Sequence, residues 1–157
     1  MRVQDMMRKS PCSCHPTTNL AAVTESLWSS GCGALPVVDA TGRVQGIITD
    51  RDICVALGTR NVRPSELTAG QVMTRTVAVC ALNDDIHAAL KIMQTRKVRR
   101  LPVVGEGGQL EGVLCLSDLV LHARHDDGSR PDLTYEDVMC ALRGIYWHPS
   151  PALAASR

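Results

Sequence analysis

Apolar positions recur at helical spacing in two stretches of the chain, one near residue 20 and one near residue 86. A polar residue able to accept hydrogen bonds from free amides precedes each stretch, which predicts two amphipathic helices of about three turns. The residues concerned are Leu20, Val23 and Leu27 after Thr18 or Asn19, and Ile86, Leu90 and Met93 after Asp84 or Asp85.

Each predicted helix is followed by two short apolar runs with a glycine-containing turn between them. This pattern is typical of a β-hairpin. A further helix should follow each hairpin, beginning near Asp50 and ending at Gly58 in the first case, and running from Ser117 to His122 in the second. The apolar runs are residues 35–38 and 44–48, then 101–104 and 110–114.

The chain also repeats itself with a constant shift of 66 positions and no gap. Leu-Pro-Val-Val occurs at residues 35–38 and again at 101–104. A repeat of this length predicts two pseudo-symmetric units that bury each other rather than an open array. Each unit is predicted to follow the order β-α-β-β-α, which gives an α/β fold of the α+β kind. Other identical pairs at this shift are Met7 and Met73, Cys14 and Cys80, Ala22 and Ala88, Gly42 and Gly108, Gly46 and Gly112, and Asp52 and Asp118.

The predicted organisation has four parts. Residues 1–60 form the first repeat, 61–70 a linker, 71–123 the second repeat, and 124–157 a polar loop, a C-terminal helix and a tail. Thr134 and Asp137 have the spacing of a capping box at the start of that last helix. We expect the helix to cover the module or a partner chain.

Composition argues against several classes of function. The 157 residues carry a formal net charge of +1 and only 3% aromatic residues, so we expect no nucleic-acid binding. No apolar run reaches the roughly 20 residues of a membrane span, and an apolar secretion signal is missing at the start, which favours the cytoplasm and no membrane partner. Seven cysteines without paired C-x-x-C motifs do not predict a disulfide framework. We find no Ser/His/Asp set, paired carboxylates or phosphate-binding glycine loop, so an enzyme is not expected.

Three short motifs occur twice in the same order and together resemble the cystathionine-β-synthase (CBS) domain. They are Asp5-Met6-Met7 with Gln71-Val72-Met73, the two Leu-Pro-Val-Val segments, and Gly-x-x-[Ser/Thr]-x-x-Asp at 46–52 and, less completely, at 112–118. The resemblance covers roughly residues 1–123. It implies a tandem module of the stand-alone bacterial type that senses a ligand rather than catalyses, has two clefts between its repeats, and often forms a homodimer.

The resemblance implies that the first cleft binds an adenosine ligand. In the family motif Thr49 holds the hydroxyl position and Asp52 accepts the ribose hydroxyls, while Arg100 reaches phosphate. The expected ligand is AMP, ADP or ATP, with S-adenosylmethionine as a further alternative, and no other cofactor is required. A simpler alternative is that Asp52 only favours the helix dipole, with Arg99 and Arg100 as a solvated pair. The full set implied for this cleft is Ile47, Thr49, Arg51, Asp52, Val77, Ala78, Val98 and Arg100.

The second copy departs from the family motif. Cys115 replaces the usual hydroxyl residue, and no arginine precedes Leu35, so this cleft is expected to take weak or no nucleotide, or a ligand without phosphates. The residues implied for it are Cys12, Cys32, Gly33, Cys115, Ser117 and Asp118.

The cysteines of the second cleft suggest a rival hypothesis. If Cys12, Cys32 and Cys115 converge with Cys14 and His15 nearby, the chain would be a stress-linked interaction protein. Its cysteine-rich cleft would sense a metal or the redox state, and adenosine binding would be vestigial. The alternative is that these thiols are small hydrophobes. The leading hypothesis remains a regulatory adenosine-binding module, a homodimer that signals through shape or association to an unidentified protein effector in trans.

Overall fold

The computed structural model describes residues 1–126, 128 and 131–147. Its helices are α1 Val3–Met6, α2 Leu20–Ser29, α3 Asp50–Arg60, α4 Ala69–Val72, α5 Ile86–Arg96, α6 Leu116–His122 and α7 Tyr135–Tyr146. Its strands are β1 Arg8–Lys9, β2 Ala34–Val38, β3 Val44–Thr49, β4 Cys80–Ala81, β5 Arg100–Val104 and β6 Leu110–Cys115. This mixture of helices and strands confirms the α+β class.

Both predicted hairpins form. β2 pairs antiparallel with β3, and β5 pairs antiparallel with β6. The second hairpin belongs to a larger sheet of order β1-β6-β5-β4, in which β4 is parallel to β5. In the first repeat the strand equivalent to β4 is reduced to an isolated parallel bridge between Cys14 and Val37. In the second repeat the pairing continues with Ala81 and Val104. At the equivalent place in the first repeat, the ring Nδ1 of His15 lies 3.1 Å from the Val38 carbonyl oxygen.

Each repeat places its first short helix in the core of the other repeat. Val3 and Met6 of α1 are buried in the apolar cluster of the second repeat, beside α5 and β5. Ala69 of α4 and the following Met73 are buried in the cluster of the first repeat, beside α2 and β2. This exchange brings residues from both repeats to each cleft between them.

Close packing at two equivalent glycines makes the exchange possible. A Cβ atom at Gly46 on β3 would lie 2.5 Å from the Met73 sulfur and 2.9 Å from the Thr74 carbonyl oxygen. At Gly112 on β6 it would lie 2.5 Å from the Met7 sulfur and 2.8 Å from the Arg8 carbonyl oxygen. The segment after each short helix therefore lies directly on the backbone of the opposite repeat.

The helix ends correct several details of the sequence prediction. The N-cap of α3 is Thr49 rather than Asp50, because the Thr49 side chain accepts the Asp52 amide and the Asp52 side chain accepts the Thr49 amide. The helix passes Gly58 and ends at Arg60, and its C-cap Asn61 has a left-handed φ of 51°. α6 begins at Leu116, one residue before the predicted start.

Hydrogen bonds identify which of the two candidate residues caps each of the other helices. Asn19, rather than Thr18, caps α2 by accepting the Ala22 amide, and Asp85, rather than Asp84, caps α5 by accepting the His87 amide. The segment assigned to the linker contains a 3₁₀ turn at Pro64–Glu66 and the first residues of α4.

The C-terminal helix α7 has the predicted capping box of Thr134 and Asp137. It packs against α5 and α6 and buries Val138, Ala141 and Ile145 in the core of the second repeat. The helix therefore covers its own module. Among the described residues, no helix is long and apolar enough to cross a membrane.

Candidate ligand-binding clefts

A cavity of about 260 Å³ lies between the two repeats, at the end of β3 and the start of α3. It contains seven of the eight residues expected for the first cleft. Arg51 is the exception, because it is exposed on the first turn of α3 and does not line the cavity. Four further residues that the motif positions did not predict also line it, namely Ala34, Thr74, Thr76 and Arg99. The expected residues present are Ile47, Thr49, Asp52, Val77, Ala78, Val98 and Arg100.

Thr49 and Asp52 are held rigidly at one end of this cavity. Asp52 Oδ2 accepts hydrogen bonds from the Thr49 amide at 2.9 Å and from the Thr49 hydroxyl at 2.8 Å. Thr49 Oγ1 accepts the Asp52 amide at 3.1 Å. Within the described ranges no hydrogen bond uses Asp52 Oδ1. This oxygen is therefore available to accept hydrogen bonds from a ligand hydroxyl.

The opposite wall of the cavity comes from the second repeat. Thr74 and Ile47 exchange two backbone hydrogen bonds, of 2.9 and 3.0 Å, which fix the segment that leads to Val77 and Ala78. Val77, Ala78 and Ile47 are half-buried, as is Val98, which lies two residues after the end of α5. These aliphatic side chains can enclose a flat apolar ring.

Arg100 supplies the positive charge near this wall. It is half-buried at the start of β5 and lines both the first cleft and a smaller cavity of about 220 Å³ that includes Cys115 and Ser117. Its Nη2 atom lies 3.6 Å from the position that a Cβ atom would occupy on Gly33. The Arg100 side chain thus lies between the two clefts.

The second cleft contains an arginine, Arg8, that was not predicted from the motifs. Asp118, only 7% exposed, is held by Arg8 from β1. Arg8 Nε donates to the two carboxylate oxygens at 3.1 and 3.0 Å, and Arg8 Nη2 donates to Oδ1 at 2.6 Å. The sequence signal was present, since the residue 66 positions after Arg8 is Thr74, which lines the first cleft.

Cys32 and Cys115 lie close to this ion pair. The hydrogen bond to Asp118 raises the pKa of Arg8 above its ordinary value, with smaller contributions from the charge of Asp118 and from Cys115 and Cys32. Burial raises the pKa of the Cys115 thiol, an effect that Asp118 reinforces and that Arg100 and Arg8 oppose. Ser117 is exposed beside Cys115, and Gly33 follows Cys32. The second cleft therefore contains a buried carboxylate that is already paired.

Among the described residues, the thiol cluster of the rival hypothesis is not assembled as a metal site. In the described ranges, no three His, Cys, Asp or Glu side chains are placed to hold a metal ion. Cys14 lies in the core of the first repeat, where burial raises its pKa to about 11, whereas Cys12 is exposed. Cys14 thus behaves as a small buried hydrophobe.

Comparisons with known proteins agree with this architecture. The model of the CBS domain matches residues 3–59 and 69–125. Hypoxic response protein 1 of Mycobacterium tuberculosis is 30% identical over 103 residues, which are 66% of this chain and 71% of that protein. An uncharacterized protein of Methanopyrus kandleri, MK0525, is 25% identical over 118 residues, or 75% of this chain. The chain spans only 60% of that relative's length.

Two crystal structures show the same fold. Hypoxic Response Protein I with two coordinated zinc ions has a TM-score of 0.73 and 27% identity, over 79% of this chain and all of that one. The CBS domain pair of protein MJ0100, in complex with 5′-methylthioadenosine and S-adenosyl-L-methionine, has a TM-score of 0.70 and 25% identity, over 78% and 98% of the two chains. The two matched segments cover most of the chain and coincide with the two structural repeats, so this protein belongs to the CBS domain family and carries the domain twice.

Proposed function

We propose that this protein is a regulatory module that binds an adenosine ligand in the first cleft. The observation that carries the proposal is the Asp52 carboxylate. One of its oxygens is fixed by Thr49, and the other has no partner among the described residues at the edge of a cavity that both repeats line. A carboxylate in this state can accept hydrogen bonds from the adjacent hydroxyls of a ribose.

The rest of the cavity supports an adenosine ligand rather than a simple sugar. The aliphatic side chains of Ile47, Val77, Ala78 and Val98 offer a narrow apolar space next to Asp52, which suits a purine ring. The related CBS pair of MJ0100 was crystallised with two adenosine compounds. Ribose and base would thus each meet a surface of matching chemistry.

A phosphate group extends the same proposal to AMP, ADP or ATP. Arg100 lines the cavity together with Arg99, and the first turn of α3 lies at the end of the cavity that holds Asp52. A guanidinium group and the free amides of a helix N-terminus both favour a bound anion. S-adenosylmethionine, which carries no phosphate, is the alternative ligand.

The C-terminal helix is the proposed route by which binding is signalled. Arg99 Nη1 donates to the hydroxyl of Tyr146 at 3.3 Å, and Lys97 Nζ donates to the Trp147 carbonyl oxygen at 3.1 Å. Lys97 also donates to the Gly144 carbonyl oxygen. The end of α7 is therefore attached to the turn that precedes Arg100, the first residue of β5. A ligand that binds one position of this turn better than another would shift α7 with it.

The proposed assembly is a homodimer. The outer faces of α2, α3 and α6 expose Trp28, Val55 and Leu121, which are 88, 54 and 79% exposed. Val55 and Leu121 are equivalent in the two repeats, so the module presents two related apolar faces to a second copy. Sedimentation equilibrium tests this arrangement: a dimer that Trp28→Glu converts to monomer supports it, and a monomeric wild-type protein contradicts it. The protein effector and the cytoplasmic location remain predictions.

Isothermal titration calorimetry of the reduced protein tests the ligand proposal. Adenosine, AMP, ADP, ATP and S-adenosylmethionine are titrated into the wild type and into Asp52→Ala. We expect binding of at least one of them, and its loss in Asp52→Ala. Arg51→Ala is the matched control, because its side chain lies on the same helical turn outside the cavity. Absence of binding in the wild type, or equal binding by Asp52→Ala, contradicts the proposal, as does hydrolysis of a nucleotide by the purified chain.

A further inference from the structure

The two clefts differ in the state of their equivalent carboxylates. Asp52 keeps one oxygen without a partner among the described residues, whereas Arg8 holds both oxygens of Asp118. Asp118 is the one charged residue that is buried in the described part of the chain, whereas the side chain of its partner Arg8 is 63% exposed and so lies on the solvent side of the pair. The arginine thus lies where a ligand hydroxyl would have to approach the carboxylate.

Arg8 and Thr74 occupy the same place in the two repeats. Arg8 pairs with Val113 on β6, and Thr74 pairs with Ile47 on β3, with the same antiparallel geometry. Thr74 lies 66 positions after Arg8, and Val113 lies 66 positions after Ile47. The extra partner of Asp118 therefore comes from the side chain at this one backbone position, which is long and cationic in the second cleft and short and neutral in the first.

We propose that the Arg8 side chain occupies the ribose position on Asp118 and thereby keeps the second cleft closed to ligand. This inference rests on the proposed function in one respect, since it takes the ligand to be an adenosine compound. A bidentate guanidinium–carboxylate pair is among the stronger polar contacts in proteins, and a neutral diol offers the carboxylate no compensating charge. A ribose therefore competes poorly with Arg8, and the module takes up ligand at the first cleft alone.

The residues around Asp118 define the ligand that an opened second cleft would take. Ala34 stands where the first cleft has Arg100, so the second cleft has no arginine of its own at the equivalent position, and Arg100 is shared with the first cleft. Cys115 stands where the first cleft has Thr49, and its thiol is a weaker hydrogen-bond donor than a hydroxyl. The opened cleft should thus bind an adenosine compound without phosphates, and adenosine itself is the appropriate probe.

Arg8→Thr tests the proposal because it gives the second cleft the residue of the first. Adenosine is titrated calorimetrically into the wild type, Arg8→Thr, Arg8→Thr/Asp118→Ala and the control Lys9→Thr, which changes the neighbouring exposed residue of β1. We expect Arg8→Thr to bind one more adenosine per chain than the wild type. The extra site should vanish with Asp118→Ala, and Lys9→Thr should match the wild type. Circular dichroism checks folding, and Arg8→Gln provides a second test if Arg8→Thr does not fold.

The outcomes separate this inference from the proposed function. If Arg8→Thr binds no more adenosine than the wild type, or if the extra site survives Asp118→Ala, the role of Arg8 is refuted. If the wild type binds no adenosine ligand but Arg8→Thr does, the first-cleft proposal fails and the role of Arg8 stands. Titration into Asp52→Ala and Arg8→Thr/Asp52→Ala assigns each site, since only the second of these variants should bind.

Discussion

The Thr49 hydroxyl donates a hydrogen bond of 2.8 Å to Asp52 Oδ2 at the first turn of α3. The same two side chains also satisfy each other's backbone amides. Helix capping therefore uses one carboxylate oxygen and leaves the other for a ligand. A single residue thus contributes both to the stability of the module and to its proposed binding chemistry, and the two contributions can be separated.

Asp52→Ala should reduce both stability and ligand binding. Loss of the capping interaction is expected to lower the free energy of unfolding by about 0.5–2 kcal/mol, measured by urea denaturation. Asn19→Ala is the control, because Asn19 caps α2 through the Ala22 amide at 2.9 Å but does not line the cavity. It should cost a similar free energy and leave ligand affinity unchanged. Equal losses of affinity in the two variants would show that binding responds only to stability.

Arg100→Ala should discriminate between ligands with and without phosphate. Removal of a charge-assisted hydrogen bond of about 1.5–3 kcal/mol weakens AMP binding by roughly tenfold to a hundredfold. Adenosine has no phosphate, so its affinity in the same variant should stay within a factor of about two. Calorimetric titration of both ligands measures this difference. A parallel loss for adenosine and AMP would place Arg100 outside the phosphate contact.

Gly46→Ala should destabilise the protein because the new methyl group meets Met73 and the Thr74 carbonyl oxygen. The Met73 side chain can move, but the backbone oxygen cannot move without disturbing its strand pairing with Ile47. Overpacking of this kind costs about 1–3 kcal/mol in the free energy of unfolding.

Gly58→Ala is the matched control for this substitution. Gly58 lies within α3, and a Cβ atom there meets nothing within 4 Å. The change should therefore raise the free energy of unfolding by about 0.5–1 kcal/mol. A Gly46→Ala variant as stable as the wild type would contradict the close packing of the two repeats at Gly46.

The repeat made much of the fold predictable. A constant shift of 66 positions, together with apolar runs at the expected spacing, located both hairpins and the helices around them. What the pattern did not predict is the exchange of α1 and α4 between the two cores. Those helices have only four residues each, so they carry too little periodicity to show which core their apolar side chains enter.

The lining of the first cleft followed from motif positions, whereas the closing of the second did not. Thr49 and Asp52 stand at fixed places in a local motif, and the structure brings them to a cavity with Val98 and Arg100. Arg8 reaches Asp118 across 110 positions of sequence, and only the pairing of β1 with β6 brings them together. A comparison of Arg8 with its equivalent Thr74 was the available signal, but its meaning depends on that strand pairing.

Stability should fall in alkaline solution because buried thiols resist ionisation. Burial, reinforced by Asp84, raises the pKa of Cys80 to about 12, whereas a thiol in the unfolded chain ionises near its ordinary pKa of about 8.5. The folded state therefore binds more protons than the unfolded state between these values. The stabilisation is complete below the unfolded pKa and is lost as pH rises toward 12, by up to about 1.4 kcal/mol per pH unit.

Urea denaturation at pH 8 and pH 10.5 measures this loss. Cys80→Ala should be less stable at pH 8 but should lose less stability on the change to pH 10.5 than the wild type. Cys54→Ala is the control, since Cys54 is exposed and its removal should leave the pH dependence unchanged. An unchanged pH dependence in Cys80→Ala would show that this thiol ionises as readily in the folded protein as in the unfolded chain.

The most direct test of the central claim is a crystal structure of the wild-type protein grown with the adenosine ligand that gives the strongest calorimetric signal. We predict ligand density between the repeats, with the ribose hydroxyls within hydrogen-bonding distance of Asp52 Oδ1 and the base among Ile47, Val77 and Val98. The Arg8–Asp118 pair should remain intact in the same crystal. Density for the ligand in the second cleft alone, or outside both clefts, would contradict the assignment of the first cleft as the binding site.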